Sequence, residues 1–143
     1  MQFIYPATLT PDPSGGFVVT FRDWPEAITQ GETLAETLLD AADCLEEAVA
    51  ARIDDRGEIP APSASLPEEH PVAVPIQTAL KAALFLAVRE TGIGSSELAR
   101  RLGVNEKEAR RLLDPRHPSK AATLERALLA LGRRLAIKVE KAA

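Results

Sequence analysis

Cysteine and histidine are nearly absent from this sequence of 143 residues, which holds one Cys and two His. A single cysteine excludes an intramolecular disulfide. With only His70 and His117 beside it, Cys44 offers no plausible set of zinc ligands. Cys44 lies in a helical run, His70 in a proline-rich stretch and His117 in the other half, so no thiol–imidazole pair is expected and Cys44 reads as a small buried hydrophobe. No cofactor, metal site or catalytic residue is predicted. Long apolar runs are missing too: none approaches the roughly 18–20 residues that a membrane span requires. The opening MQFIYPATL has no basic region followed by an apolar core, so a cytoplasmic protein is expected.

Basic residues are scarce in one half only. Met1 to His70 holds 14 Asp+Glu against 3 Lys+Arg, a net of −11, whereas Pro71 to Ala143 holds 7 against 14, a net of +7. The overall −4 therefore conceals two fields of opposite sign. A basic half is the usual footprint of phosphate contact, and an acidic half repels nucleic acid and attracts basic proteins. Two units of roughly 70 residues would each bury only about 60% of their unfolded surface, so support from a partner or a second copy is expected.

Patterning gives an α+β chain. Phe3, Tyr5, Ala7 and Leu9 alternate with polar or exposed positions as in a half-buried strand, and Pro6, which has no N–H, points to a sheet edge. TPDPSGG over 10–16 is a turn, and Phe17 to Phe21 completes a hairpin. Asp23, Trp24 and Pro25 turn the chain again before a short third strand over Ala27 to Gln30. Thr33 and Glu36 have capping-box spacing and open a helix to about Arg56, with Gly57 as its stop. Leu34, Leu38, Ala41, Leu45, Ala48 and Val49 form its apolar stripe; Glu36, Asp40, Asp43, Glu46, Glu47, Asp54 and Asp55 form an acidic face. Five of the 11 prolines fall between residues 60 and 75, an extended connector in which residues 72–74 are a possible last strand.

From Ile76 the period becomes 3.6. A helix with Ile76, Leu80, Ala83, Leu84, Ala87 and Val88 on one face ends near Gly92. The stretch SSELARRLGVNEKEARRLL, residues 95–113, has the spacing of a helix-turn-helix, with Ala99 at the helix crossing and Gly103 in the turn. Leu98, Leu102, Val104, Ala109 and Leu112 point to a small core. Glu106, Lys107, Arg110 and Arg111 remain outside on the second helix, where Arg can bond two acceptors of guanine and Lys can reach phosphate. Asn105 either caps that helix or reads adenine. Arg100, Arg101, Arg116, His117 and Lys120 flank the helix as candidates for phosphate contact. A last helix covers Thr123 to Leu131, and Leu135, Ile137 and Val139 alternate as a closing strand that would pair with its copy in a second protomer.

The second half resembles the lambda-repressor-like, or Xre-type, helix-turn-helix domain, and LLDPRHPSKAATLERALLALGRRLAIKVE is similar to the tail of such domains in small bacterial regulators. The first half resembles the HicB antitoxin family through GGFVVTFRDWPEAITQGETLAETLLDAADCLEEAV followed by IPAPS. Together the two resemblances cover nearly the whole chain. They imply a partial RNase H-like β-β-β-α-β domain over residues 1–59, a connector over 60–75 and a helix-turn-helix DNA-binding and dimerisation domain over 76–143. They further imply a HicA-type RNA-cleaving toxin as protein partner, operator DNA as the second partner, and a homodimer or higher even oligomer. Toxin contact falls to Trp24, Glu26, Glu36, Asp40, Asp43 and Glu47; the family commonly has Leu at the position of Trp24 and Gly at that of Glu26.

Two other classes stay open on the residues alone. RNase H chemistry needs carboxylates around two metal ions, one of them on the first strand, and Gln2 to Leu9 has none, so an inert domain is expected. A stand-alone helix-turn-helix regulator with an N-terminal ligand-binding or dimerisation domain is the alternative to an antitoxin.

Overall fold

In a computed structural model that describes residues 1–142, the elements run β1 (Ile4–Pro11), β2 (Phe17–Phe21), β3 (Ile28–Gly31), α1 (Leu34–Asp54), β4 (His70–Ala73), α2 (Ile76–Thr91), α3 (Ser95–Leu102), α4 (Glu106–Leu113) and α5 (Ala121–Ala130). The architecture is mixed α+β: one antiparallel four-stranded sheet of order β3-β2-β1-β4, then helices.

The β1–β2 turn closes through Asp12, whose N–H donates to the Gly16 carbonyl at 3.0 Å and whose Oδ1 accepts from Ser14 N–H at 2.8 Å. Gly16 takes φ +76°, and a Cβ there would stand 2.3 Å from the Gly31 oxygen, so β3 can close over the turn only if this residue is glycine.

β1 lies inside the sheet, paired with both β2 and β4, which corrects the edge position expected from Pro6. Pro6 faces Pro71 across β1–β4, and its pairing with β2 begins only at Ala7. Val74 N–H donates to the Phe3 carbonyl at 2.9 Å; counting in alternation from that bonded pair, Pro6 and Pro71 occupy a site where neither N–H belongs to the ladder. Two prolines are thereby accommodated at the same rung.

α1 begins as expected, with Thr33 Oγ1 accepting from Glu36 N–H at 3.2 Å. It ends at Asp54, and the left-handed residue is Arg56 (φ 54°) in place of the expected Gly57. The carbonyls of Arg56 and Gly57 accept hydrogen bonds from Arg89 of α2, which ties the end of α1 to the next helix. Ala41, Leu45, Ala48 and Val49 of the predicted stripe are buried, but Leu34, expected in the same stripe, is 47% exposed.

Residues 60–69 lie against the first core, held by side chains. Tyr5 Oη donates to the Pro60 carbonyl at 2.7 Å, Ser63 N–H and Oγ donate to the Asp23 carboxylate, and Arg22 makes a two-pronged pair with Glu69 while also donating to the Ala64 carbonyl. The last strand begins at His70, two residues before the predicted position.

Two hydrophobic clusters result. Tyr5, Val19, Phe21, Trp24, Leu45 and Val49 centre the first, and Leu84, Leu98, Ala109, Leu112 and Leu124 the second. α2 serves both, with Ala82 in the first and Leu80, Leu84 and Ala87 in the second. Ile76, read as the start of its buried face, is 61% exposed. α3 and α4 meet through a turn at Gly103, φ +66°. α5 starts at Ala121, two residues earlier than expected. Residues 133–142 form no helix or strand in the single chain; the closing strand expected over 135–139 needs its partner edge from a second copy. No described helix is long and apolar enough to cross a membrane.

Candidate functional site

The chain exposes two faces of opposite charge, and its internal ion pairs determine which charges remain outward. On α1, Glu36, Asp40 and Asp43 are exposed and take part in no ion pair among the described residues. Glu36 and Asp40 join Asp12 and Glu32 around a hollow of about 440 Å³ at the open end of the sheet, with Gln30 of β3 on its wall. Of the exposed apolar residues, Leu39 (70%) lies on α1, Leu34 on its first turn and Ile28 (61%) on the edge strand β3.

Trp24 does not belong to that surface. It is fully buried, its ring meeting Tyr5 edge-on at 5.4 Å with the Arg52 guanidinium 4.2 Å from its centroid. This corrects the expected direct contact: the turn after β2 needs a large apolar plug, and the ring faces inward. Its Nε1 has no hydrogen-bond partner among the described residues. Glu26 is exposed but committed, accepting two hydrogen bonds from Arg52 at 2.6 and 2.7 Å that hold its carboxyl below the usual range. Trp24, Arg52 and Glu26 form one stack that fixes the corner between β2 and β3.

Glu47 is exposed but engaged within the chain. It accepts from both terminal nitrogens of Arg116 at 2.9 and 3.0 Å, while Arg116 Nε donates to Asp54 at 2.8 Å. Arg116, expected at phosphate, thus bridges α1 and the loop leaving α4. This pairing lowers the Glu47 pKa. His117, half-buried, lines the adjoining cleft of about 330 Å³ with Glu46, Gln77 and Thr78.

On the helical half, Asn105 caps α4, its Oδ1 accepting from Glu108 N–H at 2.8 Å. Glu106, Lys107, Arg110 and Arg111 are exposed on α4, as the periodicity requires. Arg110 pairs with Glu106 one turn earlier at 2.9 Å. Arg100 and Arg101 share Glu97, which falls to about pKa 2 through its hydrogen bonds from Arg100 and then Arg101. Lys107, Arg111 and Lys120 form no ion pair among the described residues, so these three carry the unopposed positive charge around α4.

Lys81 was not legible as a site residue. It is 1% exposed, and its Nζ donates to the Arg111 carbonyl at 2.8 Å and to Ser119 Oγ at 2.7 Å. Burial draws it down to about pKa 8, against a smaller opposing pull from Asp114. Gln77 completes the lock by exchanging hydrogen bonds with the Ser119 backbone at 2.6 and 3.1 Å. Two side chains of α2 therefore set the exit of α4 and the loop that holds Arg116. A lysine within the apolar run ALKAALFLAV was the available signal. Cys44 is half-buried and its thiol is pushed up by burial, the opposite of what an attacking thiolate needs.

The family model for the HicB-like antitoxin of bacterial toxin–antitoxin systems matches residues 4–83, the sheet, α1 and the first half of α2. Antitoxin HicB of Escherichia coli is 41% identical over 133 residues, covering 93% of this chain and 96% of that protein. Antitoxin HicB of Pseudomonas fluorescens is 38% identical over 143 residues, covering 99% and 97%, and antitoxin HicB 1 of Photorhabdus laumondii is 37% identical over 136 residues, covering 95% and 86%. Similarity across both halves, together with a family match on the sheet that carries the acidic helix, places this chain in the HicB-like family of antitoxins of bacterial toxin–antitoxin systems.

Proposed function

We propose that the chain neutralises a HicA-type RNA-cleaving toxin by direct binding through its first half and represses its own operon through its second, with the sheet as a partial RNase H-like domain and α3–α4 as an Xre-type helix-turn-helix. The observation that carries this reading is the separation of unpaired charge: Glu36, Asp40 and Asp43 outward on α1, and Lys107, Arg111 and Lys120 outward around α4. A cationic toxin is attracted to the first set and phosphate to the second, and each face repels the other's ligand. Exposed Leu34 and Leu39 supply apolar contact beside the carboxylates. The sheet acts as a binding platform without nuclease chemistry, because β1 carries no carboxylate to hold a metal ion.

α4 enters the major groove with Lys107, Arg110 and Arg111 toward base edges, while Arg100, Arg101 and Lys120 approach phosphates. Two copies read two half-sites about one helical turn apart. Residues 135–139 of two protomers pair as an antiparallel ribbon, which covers Ile137 and Val139, exposed by 75% and 91% in the single chain. The test is co-purification of the full chain with the product of a short basic reading frame beside its gene, followed by gel shift on the DNA upstream. Capture of both supports the proposal; DNA capture without a protein partner favours a stand-alone regulator.

A further inference from the structure

Arg116 lies between the two charged faces and is occupied by the wrong one for DNA binding. All three of its side-chain nitrogens donate to carboxylates of α1, two to Glu47 and one to Asp54, at 2.8 to 3.0 Å. The loop that carries it is held on both sides. Asp114 accepts from the Arg116 and His117 backbone N–H groups at 2.9 and 3.2 Å, and the Lys81 and Gln77 bonds to Ser119 fix the far end. Only the side chain is left to choose a partner. Three of its five N–H donors are committed to two carboxylates whose charges repel an approaching phosphate, so a phosphate takes up the guanidinium in full only when Glu47 and Asp54 are left behind.

Resting on the reading of α4 as the DNA-contacting helix, we propose that Arg116 is a latch: Glu47 and Asp54 hold it away from the DNA backbone in the free chain, and a cationic protein that takes up those carboxylates releases it to a phosphate beside α4. The acidic helix thereby acts as an intramolecular competitor of DNA. By linkage, phosphate contact by Arg116 frees Glu47 and Asp54 for the cationic partner, so the two ligands favour each other's binding to one chain. The pair is half exposed, with side-chain exposures of 47% for Arg116, 68% for Glu47 and 41% for Asp54, so a competing ligand can reach it.

The test is a double-mutant cycle on the full chain, read as affinity for a fluorescent duplex of the DNA immediately upstream of the gene. Glu47→Ala with Asp54→Ala tightens binding about 3- to 10-fold at ~0.1 M salt, and the slope of log affinity against log salt steepens by about 1, for one more phosphate neutralised. In the Arg116→Ala background the same two substitutions leave the slope unchanged, and Arg116→Ala alone changes DNA affinity less than twofold. Equal effects of the acidic substitutions in both backgrounds, reflecting nothing beyond the loss of negative charge, overturn the latch while leaving DNA binding by α4 intact. Failure of every variant, wild type included, to bind the duplex overturns the reading of α4 and the latch with it.

Discussion

The two halves treat their minority charge in the same way although the signs are reversed. In the acidic half, two of the three arginines are enclosed by carboxylates: Arg22 fastens residues 64–69 through Glu69, and Arg52 packs over Trp24 with Glu26 as its anchor. In the basic half, the scarce acids are placed likewise, with Glu97 between Arg100 and Arg101, Glu106 against Arg110 and Glu90 against Arg133. The minority sign maintains local structure, and the surplus of the majority sign faces solvent. Where the halves meet, the rule becomes a direct contest, as Arg89 reaches Glu58 and Arg116 reaches Glu47 and Asp54.

The cores differ in how they treat a buried polar group, and the largest expected effects come from that difference. Among the described residues Trp24 leaves one donor unpaired in the first core, whereas Lys81 satisfies two acceptors beside the second. Replacing Trp24 by Ala removes the plug under Arg52 and costs about 3–5 kcal/mol in urea unfolding. Trp24→Phe costs far less, because it discards the unpaired N–H along with some volume.

Alkaline titration separates the cores by sign. Lys81 titrates near 8 when folded against 10.5 ordinarily, so between those values the unfolded chain holds the extra proton and stability rises with pH, by up to about 3 kcal/mol. Tyr5 is raised by burial to about 12 from 10.0, so above pH 10 the folded chain keeps a proton that the unfolded chain has lost, and stability falls. Unfolding free energy measured from pH 7 to 11 passes through a maximum near 10. Lys81→Met removes the rising limb and Tyr5→Phe the falling one; a flat profile in the parent chain contradicts both assignments.

Among the surface arginines and lysines, unpaired groups are expected to outweigh paired ones. Lys107→Ala and Arg111→Ala each weaken operator binding about tenfold or more if the residue reads a base. Arg100→Ala and Arg101→Ala have smaller effects, because each must first leave Glu97, and they appear mainly as a shallower salt dependence in gel shifts. Equal losses at all four positions would remove the distinction between free and neutralised charge.

Local chemistry was legible where a residue acts within its own segment. The Thr33 and Asn105 caps, the Gly103 turn and the inward face of α3–α4 follow from spacing of a few residues. What was missed depends on partners distant in sequence. Pro6 suggests an edge if its absent donor is charged to the whole strand, whereas only alternate residues face each neighbouring ladder. Nothing local to Trp24 shows that Tyr5 and Arg52, distant in sequence, enclose it. Spacing assigns Arg116 and Glu47 to separate charged faces, yet the fold brings these residues, 69 apart in sequence, into one ion pair. Proline density between residues 60 and 75 suggested a spacer, but Tyr5, Arg22 and Asp23 bind it to the sheet.

The central claim, that opposite faces of one chain engage two different macromolecules, is tested most directly by reversing charge on each face and measuring both ligands. Full-length protein carrying Lys107→Glu and Arg111→Glu should lose the upstream duplex in gel shift while still capturing the neighbouring basic protein. The chain carrying Asp40→Lys and Asp43→Lys should lose the protein and keep the duplex. Loss of both ligands in either variant while the fold remains intact by circular dichroism, or retention of both, would contradict the account.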